Sequence, residues 1–174
     1  MKIYQNKKYM EDVDRVAALE LPWELLQDRT MMISGATGLL GSFLVDVIMH
    51  RNAEQNMNCR VLALGRSEEK ARSRFSYCFE SSLFTFIPYD VNEPFVHEEI
   101  GKVDFCLHLA SNTHPVAYST DPIGTITTNV IGLKNMLDFC HDHQAMRVAF
   151  ASSNEIYGEN RGDVELFDES YCGY

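Results

Sequence analysis

Two kinds of apolar run alternate along this chain. Thr30-Met31-Met32-Ile33-Ser34, Arg60-Val61-Leu62-Ala63-Leu64, 83–88, 103–109 and 146–151 are short and apolar almost throughout. Such runs read as strands buried on both faces. The other kind has helical spacing. It places Leu40, Phe43, Leu44, Val47 and Ile48 on one face of 38–49. It also places Ile123, Ile126, Val130, Leu133, Met136, Leu137 and Cys140 on or near one face of 122–143, with Asp121 positioned to cap that helix. A polar stretch from Ser67 to about Phe79 is expected to be helical as well. The alternation predicts an α/β domain with a doubly wound parallel sheet over residues 30–174.

Upstream, Val13, Val16, Ala17, Leu21, Leu25 and Leu26 keep mostly helical spacing across Met10 to Gln27, with Pro22 and Trp23 interrupting. Residues 1–29 are therefore expected to form an N-terminal helical extension of two short helices. After Gly158 the chain turns polar and offers no further strand. A sheet ending there would leave its fifth strand poorly covered, so the expectation is a domain truncated after about five strands.

Composition narrows the class. The 174 residues carry 15 Lys+Arg against 25 Asp+Glu, a net charge of −10. That balance argues against nucleic acid or an anionic membrane as partner. No apolar run approaches the roughly 18 residues of a membrane span. The N-terminal basic residues are not followed by the apolar stretch of a signal peptide. Five cysteines, odd in number and without a C-x-x-C pair, point to a reduced, cytoplasmic protein with no zinc site.

The candidate chemistry begins at Gly35-Ala36-Thr37-Gly38-Leu39-Leu40-Gly41, between the first predicted strand and the helix after it. Glycines there allow a tight turn and a close approach of backbone to a pyrophosphate, which the helix N-terminus attracts. In this context the motif points to dinucleotide binding. Its spacing is G-x-x-G-x-x-G rather than G-x-G-x-x-G.

With that spacing, and with Tyr89-Asp90-Val91, His108-Leu109-Ala110-Ser111, Thr128-Asn129-Val130-Ile131-Gly132 and the run Ala151 to Gly158 following in order, the chain resembles the extended short-chain dehydrogenases/reductases. Within them it resembles the nucleotide-sugar epimerase/dehydratase family. The resemblance implies a Rossmann fold and a bound NAD(P). It implies cofactor contacts at Gly35, Thr37, Gly38, Leu39, Leu40, Gly41, Asp90, Val91, Leu109, Ala110, Ser111, Thr113 and Thr128. It also implies a nucleotide-diphosphate sugar as substrate, and a homodimer through the 122–143 helix.

Ser153 matches the family's Ser/Thr that hydrogen-bonds the sugar 4-hydroxyl. Glu155 matches a glutamate of dehydratases and UDP-glucuronate decarboxylases, where a carboxylate suits proton transfer beside a 4-keto group. Asn154 stands where dTDP-glucose dehydratases have Asp, and the stretch 121–137 looks most like the decarboxylases. Glu155 can also be read simply as a polar loop residue.

At the end of the second predicted strand, where NAD-users have Asp or Glu, the chain has Gly65, then Arg66 and Ser67. This favours NADP over NAD, because an arginine can pair a 2′-phosphate, although an arginine just past a strand is also often only solvated. The family's Tyr-x-x-x-Lys has no match: no lysine follows Tyr171 or Tyr174, and Lys134 is the last in the chain. The expectation is the cofactor-binding part of such an enzyme, inactive by itself. Two other readings stay open, a non-catalytic NAD(P)-binding module and an NADP-dependent carbonyl reductase.

Overall fold

The computed structural model describes residues 3–112 and 115–174. Its centre is a five-stranded parallel sheet in the order β3-β2-β1-β4-β5. The strands are β1 (Thr30–Ser34), β2 (Arg60–Gly65), β3 (Phe84–Pro88), β4 (Phe105–His108) and β5 (Arg147–Phe150). Helices α2 (Leu39–Gln55), α3 (Glu68–Arg74) and α5 (Pro122–Asp142) cover it. α1 (Lys7–Ala17) precedes the sheet, and α4 (Pro115–Thr120) precedes α5.

Alternation within each strand divides the core into two layers. Met32, Leu62 and Cys106 face one side, where Met136, Phe139 and Cys140 of α5 join Phe95, Ile100 and Val103 from the β3–β4 loop. Ile33, Val61 and Ala63 face the other, against Val45, Ile48 and Met49 of α2, Ala71 of α3 and Phe75 just after it. Both faces of the sheet are thus covered over its inner strands, which is why those strands read as unbroken apolar runs.

α2 is apolar on more than its sheet side because α1 covers its back. Val13 and Ala17 pack there on Val47, with Tyr9, Trp23 and Phe43 around them. Asn6 caps α1 by accepting the Tyr9 N–H at 3.2 Å. The extension is pinned through Asp46 of α2, only 2% exposed. The Asp46 carboxylate accepts from Tyr9 Oη and Tyr77 Oη, each at 2.5 Å. It also accepts two hydrogen bonds from Arg74.

Several expected elements differ from those observed. Residues 10–27 form one helix, which starts earlier and stops at Ala17, and then a 3₁₀ turn at Trp23–Leu26. α3 ends at Arg74 instead of running to Phe79, because Phe75 turns fully into the core. α4 was not anticipated. Asp121 does cap α5, accepting the Gly124 N–H at 2.9 Å. Among the described residues β5 pairs only with β4, and Arg147, Ala149 and Phe150 stay exposed at the sheet edge.

Candidate functional site

The carboxyl ends of the strands open onto a cleft of about 820 Å³, within the size range of cofactor and substrate pockets. The strand order reverses there: β2 and β3 lie to one side of β1, β4 and β5 to the other. In open α/β sheets that crevice is where ligands bind.

The floor of the cleft is the turn from β1 into α2. Gly35 has φ +66°, and a Cβ on it would lie 2.9 Å from both Ala110 N and the Leu109 carbonyl carbon. Only glycine lets this turn press against the exit of β4. A Cβ on Gly41 would lie 2.6 Å from Gly35 O and 2.9 Å from Ala36 Cα, so the first turn of α2 sits directly on the loop. Gly38 is the N-cap and offers no side chain to satisfy the first amides of α2. Those amides and the positive end of the helix dipole form an anion cradle. Leu39 and Leu40 beside it are exposed.

A hydroxyl–imidazole pair supports the same turn from below. Ser34 Oγ accepts N–H groups from Leu109 at 3.1 Å and Ala110 at 3.2 Å, and lies 2.6 Å from His108 Nδ1. An oxygen that already accepts twice donates its one proton, so Nδ1 is the acceptor and the His108 proton sits on Nε2. Burial holds this imidazole below the usual histidine range.

On the β2–β3 side, Gly65, Arg66, Tyr89, Asp90, Val91 and Asn92 form one wall. Arg66 is exposed and makes no ion pair among the described residues. Asp90 Oδ1 accepts from Asn92 N at 3.0 Å and Asn92 Nδ2 at 2.9 Å, which leaves Oδ2 unengaged among the described residues. On the β4–β5 side the wall is formed by Leu109, Ala110, Ser111, Asn112 and Tyr118, and by Phe150 through Asn154. Ser111 Oγ donates to Asn129 Oδ1 at 2.8 Å.

Most of the residues expected from sequence meet here: Gly35, Thr37, Gly38, Leu39, Leu40, Gly41, Arg66, Asp90, Val91, Leu109, Ala110, Ser111, Thr128 and Ser153 all line the cleft. Three do not join them. Ser67 is not a lining residue; it caps α3, accepting the Lys70 N–H at 3.2 Å. Glu155 is exposed in the 3₁₀ turn Asn154–Tyr157, outside the lining residues, and its N–H donates to Ser153 Oγ at 3.2 Å. Thr113 lies outside the described residues. Sequence reasoning missed Asn92, Asn112 and Tyr118. The position of Asn92, two residues after Asp90 in an Asx-type turn, was a usable signal.

Glycine cradle, helix amides, an unpaired cation and a half-free carboxylate fit a dinucleotide phosphate and its ribose. No group of three or more metal-ligating side chains occurs among the described residues, and no helix among them is long and apolar enough to cross a membrane.

Comparison with known proteins agrees with this geometry. UDP-glucuronic acid decarboxylase 5 of Arabidopsis thaliana is 33% identical over 143 residues, covering 82% of this chain and 38% of the relative. UDP-glucuronic acid decarboxylase 1 of Danio rerio is 32% identical over 146 residues, covering 84% and 32%. The chain thus spans well under half the length of these relatives. In fold it is similar to the UDP-N-acetylglucosamine 4-epimerase of Methanobrevibacter ruminantium (TM-score 0.67, 20% identity, 84% of this chain and 44% of that one). It is also similar to the dTDP-glucose 4,6-dehydratase DesIV of Streptomyces venezuelae (TM-score 0.64, 21% identity, 75% and 41%). The model of the NAD dependent epimerase/dehydratase family matches residues 31–173, from the first strand past the Ser153 signature, and the chain belongs to that family.

Proposed function

We propose that this chain is the cofactor-binding part of an enzyme that works on a nucleotide-diphosphate sugar through a 4-keto intermediate, and that it holds NADP in preference to NAD. The observation that carries the reading is the Gly35–Gly41 turn, which presents the first amides of α2 to the cleft at the point of strand reversal. The cofactor preference rests on Arg66, exposed and without an ion pair among the described residues, and on Gly65, which brings no carboxylate to repel a 2′-phosphate. When bound, the dinucleotide supplies a hydride acceptor for oxidation at the sugar C4.

The chain's own residues would then orient and exchange protons. Ser153 Oγ accepts the Glu155 N–H, so its hydroxyl proton is free for a sugar oxygen in the cleft. Glu155 is proposed as the carboxylate that handles a proton beside the 4-keto group. The curated relatives favour decarboxylation within this class. Free cysteines support a reducing, cytoplasmic setting. The outer face of α5 exposes Ile123, Ile126 and Val130, which supports a homodimer through this helix.

A second reading, a dinucleotide-binding module without chemistry, is favoured by Glu155 lying outside the cleft lining. Under either reading, these 174 residues alone convert no UDP-glucuronate or UDP-glucose in the presence of NAD(P)+. Turnover by the purified chain would overturn that claim. The cofactor assignment is tested by Arg66→Ala, which should weaken NADP+ binding and leave NAD+ binding unchanged. Equal NADP+ affinity in the variant would remove Arg66 from the site.

A further inference from the structure

One side of α5 is built to hold a wall of the cleft. Thr128, Gly132 and Asn135 follow one another at intervals of four and three residues and so form a stripe along one face of the helix. Each touches the loop that leaves β3. Asn92 Nδ2 lies 3.3 Å from Thr128 Oγ1. Gly132 admits Val91, whose Cγ2 would be 2.8 Å from a Cβ at that position. Asn135 Nδ2 donates to two backbone carbonyls, Val91 O and Glu93 O, each at 2.9 Å. Both protons of the carboxamide are therefore committed to one short piece of backbone, to which Tyr89 Oη also donates, at Glu93 O, at 2.6 Å.

That piece of backbone includes Asp90, Val91 and Asn92, all lining the cleft on its β2–β3 side. In dinucleotide-binding sheets this is the side of the adenosine half, since the group that reads its ribose sits just past the second strand. The loop 89–93 belongs to no helix or strand. Its own Asx turn at Asp90 and the clip from α5 are what fix its course. Without Asn135, both carbonyls lose their donor from α5: Glu93 O keeps Tyr89 Oη at 2.6 Å, while Val91 O keeps only the long contact to it at 3.5 Å.

We propose that Asn135 is a positioning residue for the adenosine half of the dinucleotide: it touches no ligand itself and acts by holding Asp90 and Val91 in place. This rests on the dinucleotide reading given above. The test uses the full chain with Asn135→Ala, and Asn135→Asp as a near-isosteric variant whose carboxylate cannot donate and faces two carbonyl oxygens. Amide hydrogen exchange over 90–94, measured without ligand, should rise about ten-fold or more in both variants, while β1 and the first turn of α2 keep their protection. Affinity for ADP-ribose should fall about ten-fold, with nicotinamide mononucleotide binding unchanged.

A purely structural role would instead raise exchange across the whole domain and weaken both ligands alike, which overturns the proposal. Unchanged exchange at 90–94 in both variants overturns it too, as does faster exchange with unaltered ADP-ribose affinity. If the unaltered chain binds no ADP-ribose at all, the dinucleotide reading fails and the ligand role of Asn135 with it. The exchange measurement, made without ligand, then still reports whether the clip exists, so the two failures are told apart.

Discussion

Ser34 Oγ and His108 Nδ1 lie 2.6 Å apart across the seam of β1 and β4, where the strand order reverses and the cleft opens. The two residues are register partners, and both are fully buried. Their contact fixes the imidazole as its Nε2–H tautomer and leaves Nε2 buried without a partner among the described residues. A protonated ring would put two donors here, one aimed at a hydroxyl already saturated by the Leu109 and Ala110 amides.

This pair makes stability depend on pH. Burial lowers the His108 pKa from the ordinary 6.5 in the folded chain. Between that lowered value and 6.5 the unfolded chain binds more protons, so stability rises with pH. The contribution is complete above about pH 6.5 and is lost as pH falls through the folded value. Thermal melts from pH 8 down to 5 should show Tm falling below about 6.5, with a shallower slope in His108→Gln. Identical slopes in the two proteins would remove His108 from the account.

The glycine turn gives a second prediction. Gly41→Ala would place a methyl group 2.6 Å from Gly35 O, and that neighbour is backbone rather than a yielding side chain. The loop must shift, and dinucleotide affinity should fall about ten-fold or more. Gly101→Ala, with nothing within 4 Å of the added carbon, is the control and should bind normally. Calorimetric titration of both variants distinguishes a general effect of added side chains from a specific loss of the cradle.

Asp46 ties the N-terminal extension to the domain. Asp46→Ala leaves the largely buried Arg74 guanidinium without its counter-charge, a loss of about 3–5 kcal/mol for a buried pair. Tyr9 loses its acceptor at the same time, so α1 should detach before the sheet unfolds. Urea denaturation should show the lower stability, and trypsin should cut at Lys7, Lys8 or Arg15 faster than in the unaltered chain. Equal cleavage rates would mean that apolar packing on Val47 holds α1 without the ion pair.

The sheet was largely legible in the sequence, and the reasons are physical. The strands inside the sheet are buried on both faces, so their apolar runs stand out without knowledge of their partners. β4 still comes out shorter than the apolar stretch 103–109, because Val103 and Asp104 are core and loop contacts that precede pairing. The glycine turn was equally readable, since its chemistry lies in backbone shape.

Contacts made across the fold were not legible. In the sequence Asp46 is one carboxylate within an apolar helix, and its partners come from 37 residues before it and 28 and 31 after. The role of Asn135 carried no local signal, because its partners are carbonyl groups of a loop 42 and 44 residues away. Glu155 was expected at the site from its match to the glutamate of the family's dehydratases and decarboxylases. The 3₁₀ turn that starts there brings the serine to the cleft wall, while Glu155 stays outside the lining.

Burial also divides the five cysteines. Cys59, Cys78, Cys106 and Cys140 are buried, and Cys172 is exposed. Burial pushes the thiols of Cys59 and Cys78 up to about 12, far from the thiolate that alkylating agents need. Iodoacetamide should add one group to the native chain, at Cys172, and five after denaturation. Rapid native labelling at Cys106 or Cys140 would show that α5 does not stay packed on β4.

The most direct test of the central claim is a calorimetric titration of the unaltered chain with NADP+ and, separately, with NAD+. The account predicts one dinucleotide per chain and tighter binding of NADP+. Tighter binding of NAD+ would keep the cradle and contradict the role given to Arg66. No heat with either ligand, in a chain that melts cooperatively, would contradict the claim that these residues form a dinucleotide site.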